Sequence, residues 1–125
     1  MKFLLHVLCL TSILFSIEFN VYPYLQNAST TSINIMWETN GGDQSLVEYG
    51  LDNSLGQVAN GTSFSSSGSN RIHDVELSNL SHSTRYYYRV TTNDAQSVIY
   101  NFITQSLSSE EDSFKLIAIS DMQRD

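Results

Sequence analysis

The chain has 125 residues, room for one ordinary domain and little more, and its hydrophobic fraction of 41% is enough for a packed core. Its formal net charge of -7 argues against nucleic acid as a partner, because phosphate binding needs a basic face. Abundant Ser, Thr, Asn and aromatic residues favour strands and turns over helices.

The N-terminus has the pattern of an export signal. Lys2 precedes an apolar run over residues 3–15, which is too short for a comfortable membrane span of roughly 20 residues. We therefore expect residues 1–18 to be a signal peptide and the protein to be secreted, periplasmic or on the cell surface. An uncleaved membrane anchor is the alternative. The single cysteine, Cys9, lies inside this segment, so no disulfide is expected in the mature chain.

Short apolar alternations with turn residues between them come after the signal. They predict about seven short strands, and thus an all-β Greek-key sandwich over residues 19–105. The Ser-rich stretch 62–70 has no apolar period and is interpreted as a loop. The strand patterns occupy residues 31–38, 46–49, 55–59, 71–77, 85–91 and 98–104.

The same alternation indicates which side chains are buried. Leu80 and Tyr86 bracket a tight corner, where a tyrosine can bury its ring and direct its hydroxyl to a nearby backbone group. On the strand that begins at this corner, Tyr87 and Arg89 are expected to face outward. The predicted structural core comprises Ile35, Trp37, Leu80, Tyr86, Tyr88 and Val90.

Candidates for chemistry within the sandwich are few. His73 adjoins Asp74 on one strand, and one of the two must face outward. We interpret His73 as a hydrogen-bonded surface or rim residue and His82 as exposed. No Ser/His/Asp arrangement has supporting context, so no catalytic residue is predicted. Patterns for glycosylation in a eukaryotic host begin at Asn27, Asn60 and Asn79.

The composition changes after residue 105. Residues 106–113 are polar and acidic, which is typical of a solvated linker. Residues 114–121 then form an apolar run with no polar alternation over Leu116 to Ile119. Such runs belong to central strands of α/β sheets that helices cover on both sides. We expect residues 114–125 to be the first strand of a second, truncated α/β domain.

Two segments resemble the N-terminal domain of purple acid phosphatases, which has a fibronectin type III-like fold. Residues 22–27, Tyr-Pro-Tyr-Leu-Gln-Asn, and the strand that ends at Trp37 are similar to the opening of that domain. Residues 73–80 and 84–90 are similar to its fifth and sixth strands. The order and spacing of these segments fit over about residues 22–104.

The resemblance implies a catalytic domain after the sandwich. In this family the next domain is a calcineurin-like metallophosphoesterase, whose first strand ends in a metal-binding aspartate, and Asp121 occupies that position. It implies a dinuclear metal site, iron with zinc, manganese or iron, and a phosphate ester substrate in the full-length protein. The residue two positions later is usually Gly in purple acid phosphatases and His in the wider superfamily. Here it is Gln123, which leaves the subtype open.

The expected function is that of a non-catalytic sandwich from an exported purple-acid-phosphatase-like metallophosphoesterase. Its partner would be the C-terminal catalytic domain, and this chain alone would hold no cofactor and have no activity. Two alternatives are open: a stand-alone extracellular binding or adhesion module, and a phosphodiesterase that carries the same sandwich. No membrane partner is expected once the signal is cleaved.

Overall fold

A computed structural model describes residues 16–107 of the chain. Within that range there are nine β-strands in two antiparallel sheets and no helix, which confirms the predicted all-β sandwich. The same residues accordingly contain no helix long and apolar enough to cross a membrane. The strands are β1 Phe19–Gln26, β2 Ile33–Thr39, β3 Leu46–Gly50, β4 Gln57–Asn60, β5 Thr62–Ser65, β6 Arg71–Leu77, β7 Arg85–Thr92, β8 Ala95–Gln96 and β9 Tyr100–Ile103.

The two sheets exchange strands along the chain. One sheet has the order β1-β2-β6-β5, and the other has the order β4-β3-β7-β8, with β9 also paired to β7. The chain therefore crosses between the sheets three times, from β2 to β3, from β4 to β5 and from β6 to β7. The inward side chains of the two sheets pack against each other in one core.

The core follows from the alternation of β2 and β7. Inward residues of β2, among them Ile35 and Trp37, have no exposed surface, while the residues between them are half-buried. β7 has the same pattern, and Tyr87 and Arg89 are half-buried on its outer side. The buried cluster contains Ile33, Ile35, Trp37, Val47, Val75, Leu77, Leu80, Tyr86, Tyr88, Val90 and Phe102, and so includes all six residues of the predicted core.

The interpretation of residues 62–70 as a loop is wrong for their first part. β5 covers Thr62–Ser65 and pairs with β6, with Thr62 opposite Asp74. Its side chains are exposed or half-buried, so this edge strand needs no apolar period and is held by main-chain pairing. Gly61, just before β5, allows the chain to approach β6 this closely, since a Cβ there would lie 2.0 Å from the Asp74 carbonyl oxygen.

One end of the sandwich is named the exit end, because residues 104–107 leave β9 there. β9 ends where β7 begins, with Ile103 opposite Arg85. The turn between β1 and β2 reaches the same end, since Leu80 N–H donates to the Thr31 carbonyl at 2.9 Å. The loops of the exit end are residues 27–32, 51–56, 78–84 and 104–107. Residues 1–15 of the signal predicted over residues 1–18, and the predicted strand with Asp121, lie outside the described residues.

Candidate functional site: a buried histidine network and a held exit segment

His73 is fully buried, so its interpretation as a surface or rim residue is wrong. Along β6 the inward side chains are His73, Val75 and Leu77, whereas Asp74 and Glu76 face outward. The period of two that Val75 and Leu77 set on this strand places His73 inside. Counting back from those two apolar residues would have found it from the sequence.

Both ring nitrogens of His73 have hydroxyl partners. Nδ1 lies 2.8 Å from Ser45 Oγ, and Nε2 lies 2.8 Å from Thr39 Oγ1. Each hydroxyl also donates to a backbone carbonyl: Ser45 to Thr62 at 3.0 Å and Thr39 to Gly41 at 2.7 Å. The ring therefore connects β6 to β2, to β5 and to the loop before β3.

The two hydrogen bonds at the ring and the two at the carbonyls need four hydrogens in total, and a neutral ring together with the two hydroxyls supplies three. Each hydroxyl carries one hydrogen and a neutral imidazole carries one, whereas the imidazolium would carry two. With His73 neutral, either Ser45 or Thr39 must turn its hydrogen from the carbonyl to the ring. The hydrogen-bond arrangement thus favours the protonated ring, while burial opposes it.

Burial decides the charge of His73. It lowers the pKa of the ring to about 4, and the positive charge of Arg71 lowers it too, against a smaller opposite effect of Asp43. The ring is thus neutral near pH 7 and has no contact with solvent. It cannot reach a substrate, and its role is to connect strands.

Trp37 extends this network across the core. Its indole stacks on the His73 ring with centroids 4.9 Å apart and planes 10° apart. Its Nε1–H donates to Thr92 Oγ1 at 2.9 Å, and this bond joins β2 of one sheet to β7 of the other. A buried indole N–H needs such an acceptor, so the pair fixes how the two sheets meet.

The described surface offers no metal centre. Among residues 16–107 there is no group of three or more His, Cys, Asp or Glu side chains that could hold an ion. Two shallow clefts of about 370 and 380 Å³ open to solvent on this part of the chain. The first is lined by Gly41, Gly42, Asp43, Ser69 and Arg71, and the second by Asn34, Asn60, Gly61, Thr62, Asp74 and Glu76.

The corner before β7 has the tyrosine geometry that the sequence predicts. Tyr86 is buried, and its hydroxyl oxygen accepts the Ser81 N–H at 3.0 Å. The Tyr86 ring packs on Phe102 of β9, with centroids 5.7 Å apart. His82, in the same corner, is exposed as expected.

The segment after β9 is held to this corner. Thr104, with 5% of its surface exposed, donates its hydroxyl to the Ser81 carbonyl at 2.6 Å and accepts the Thr84 N–H at 2.9 Å. Gln105 accepts the Ser83 N–H at 3.2 Å and donates its own N–H to the Ser29 carbonyl at 3.3 Å. The position and direction of the chain are therefore fixed through residue 105.

The sequence of this chain matches the model of a known protein family. The model of the family described as Purple acid Phosphatase, N-terminal domain, matches residues 19–104. The match begins at the first residue of β1 and ends one residue after β9, so it spans the whole strand framework. A comparison with curated proteins gave no match.

Solved structures show the same fold at low sequence identity. The long and short forms of the sensor domain of the anti-sigma factor RsgI4 from Pseudobacteroides cellulosolvens superpose with TM-scores of 0.57 and 0.54. They are 22% and 20% identical, covering 79% and 73% of this chain and 99% and 96% of their own. A solution structure of that sensor domain is 16% identical with a TM-score of 0.52, covering 87% of this chain and 95% of its own. At these identities the likeness concerns the fold alone.

Proposed function

The chain belongs to the family of purple acid phosphatase N-terminal domains, and from this premise we propose that it is the non-catalytic sandwich of an exported metallophosphoesterase. The observation that carries the proposal is the family match over residues 19–104. In the sequence, this region is followed by the acidic stretch and by the apolar run that ends at Asp121. In this proposal the sandwich holds and orients the start of a catalytic domain.

The held exit segment supports this role. A domain that only tethered its neighbour would need no defined exit, yet Thr104 and Gln105 bond to both the corner before β7 and the turn before β2. The network around His73 has no solvent access and serves the rigidity of the same framework. Both features are suited to positioning a neighbour and neither is suited to turnover.

The metal pair implied by the family does not fit the described residues. These residues lack a cluster of three metal-binding side chains, and no histidine lines the second cleft with the carboxylates of Asp74 and Glu76. A dinuclear site of iron with zinc, manganese or iron would need Asp121 together with ligands from a catalytic domain. We therefore derive no chemical step from the sandwich.

Export is a further part of the proposal. The apolar run over residues 3–15 behind Lys2 supports a cleaved signal and a secreted, periplasmic or surface location. Beyond this run, the Glu18 N–H donates to Asn40 Oδ1 at 3.0 Å. The N-terminal sequence of the exported protein should begin near residue 19, and an N-terminus at Met1 in the exported fraction would contradict cleavage.

The coding sequence beyond residue 125 gives the direct test. Further Asp, Asn and His motifs of a metallophosphoesterase, such as Gly-Asn-His, are the expected result. A stop codon, or a second sandwich, would overturn the proposal in favour of a binding or adhesion module. In the protein read from that complete sequence, Asp121→Asn should lower the bound metal measured by elemental analysis, whereas Asp112→Asn should leave it unchanged.

A further inference from the structure

We infer that the exit end of the sandwich is the surface that packs against the catalytic domain, with Leu51, Ile103 and Leu107 at the contact. The inference rests on the proposed function, since the occupant is the domain that begins at Phe114. It adds to that function the face of the sandwich that the catalytic domain covers. Three independent observations support it: the length of the connection, the fixed exit of the chain, and the residues presented there.

The connection is short. Seven residue steps separate Leu107 from Phe114, and a fully extended chain spans at most about 25 Å over that number. The eight residues of β7 alone cover about 26 Å at the usual rise of a strand. A domain that begins at Phe114 therefore starts within about 25 Å of Leu107, which is about the length of β7.

The starting point of that connection does not move freely. Thr104 is bonded to Ser81 and Thr84, and Gln105 is bonded to Ser29 and Ser83. The linker to the next domain therefore starts from a fixed point beside the four loops of the exit end. A domain that packs against these loops would exclude water from the side chains between the two domains.

The exit end presents apolar side chains and unfavourable backbone. Leu51, Ile103 and Leu107 are 64%, 56% and 40% exposed. Single exposed apolar residues are ordinary, so their location beside the exit gives them weight. Of the five non-glycine residues with positive φ among residues 16–107, all except Asn93 lie in exit-end loops, and Leu55 at φ 64° is the least favourable. Backbone of this kind persists where surrounding contacts require the conformation, and it is concentrated at functional surfaces.

Thiol labelling tests the inference. Residues 16–107 contain no cysteine, so Leu51→Cys, Ile103→Cys and Leu107→Cys each introduce one thiol into the sandwich. Val98→Cys and Phe64→Cys are the matched controls, because these side chains are 68% and 48% exposed and lie away from the exit end. Each variant is made in the 125-residue chain and in the protein from the complete coding sequence. Maleimide modification of each peptide is then measured over time by mass spectrometry.

In the complete protein, we expect the three exit-end thiols to react at least about tenfold more slowly than the controls, because a packed interface must open before they react. In the 125-residue chain all five should react at similar rates. Equal rates in a complete protein that carries a metallophosphoesterase domain would overturn the inference and leave the proposed function intact. Slow reaction at Val98→Cys or Phe64→Cys alone would place the interface on another face and so overturn the inference as well. A coding sequence without that domain would overturn the proposed function itself.

Discussion

The Thr104 hydroxyl donates to the Ser81 carbonyl across 2.6 Å and so connects the segment after the last strand to the corner before β7. The N–H of the same Ser81 is bound by the Tyr86 hydroxyl at 3.0 Å. The carbonyl and the N–H of Ser81 are thus both satisfied by side chains, those of Thr104 and Tyr86. This arrangement sets where the chain leaves the sandwich, and it supports the role that we propose for the exit end.

Replacing Thr104 by Val should destabilise the domain without changing its shape. The substitution leaves the Ser81 carbonyl and the Thr84 N–H without their partner in a nearly buried site, which should lower the free energy of unfolding by about 1–3 kcal/mol. Urea unfolding of the 125-residue chain measures this loss. Thr62→Val, at an exposed position of β5, is the control and should change stability by less than about 0.5 kcal/mol.

Removing the hydroxyl of Tyr86 should also destabilise the domain, and the neighbouring Tyr87 provides the control. Tyr86→Phe keeps the ring in the core but removes the acceptor of the Ser81 N–H, so the free energy of unfolding should fall by about 1–3 kcal/mol. Tyr87→Phe alters a half-buried outward ring and should have little effect. Equal losses in the two variants would show that the hydroxyl of Tyr86 has no special role.

His73 should make the domain sensitive to acid. Its pKa is about 4 when folded and 6.5 as the ordinary value, so below pH 6.5 the unfolded chain binds a proton that the folded chain does not. Stability is thus complete above about pH 6.5 and declines as the pH falls toward 4. The shift of the ring corresponds to a loss of about 3 kcal/mol over this window.

Titration of the histidine ring signals by NMR measures this directly. The His73 signals should not titrate above about pH 5. In urea unfolding between pH 7 and pH 4.5, His73→Gln should show a smaller loss of stability than the unmodified chain. A midpoint for His73 near 6.5 would contradict its burial as the cause of the shift.

Gly50 should tolerate no side chain. A Cβ at this position would lie 1.7 Å from the Leu55 carbonyl oxygen, so Gly50→Ala requires the turn between β3 and β4 to move. We expect it to destabilise the domain by at least about 2 kcal/mol, as measured by thermal or urea unfolding. Gly41→Ala is the control, because the nearest atom to its Cβ would be Ile17 Cδ1 at 3.6 Å. Similar stability of the two variants would contradict the close approach.

The parts of this fold that depend on apolar alternation can be predicted from the sequence. Ile35, Trp37, Tyr86 and Tyr88 are buried because a period of two leaves no other face for them. β5 escapes prediction because an edge strand with exposed Ser and Thr side chains has no apolar signal and depends on pairing with β6. The polarity of His73 suggests a surface position although its register does not, and its partners Ser45 and Thr39 are distant in the chain. The bonds that hold Thr104 and Gln105 likewise join residues that only the folded chain brings together.

Phosphomonoester hydrolysis by matched proteins tests the central claim most directly. The 125-residue chain and the protein from the complete coding sequence are each assayed with iron plus zinc, manganese or iron. The account predicts hydrolysis by the complete protein and none by the 125-residue chain, whose described part lacks a metal-binding cluster. Metal-dependent hydrolysis by the 125-residue chain, or its absence from the metal-loaded complete protein, would contradict the account.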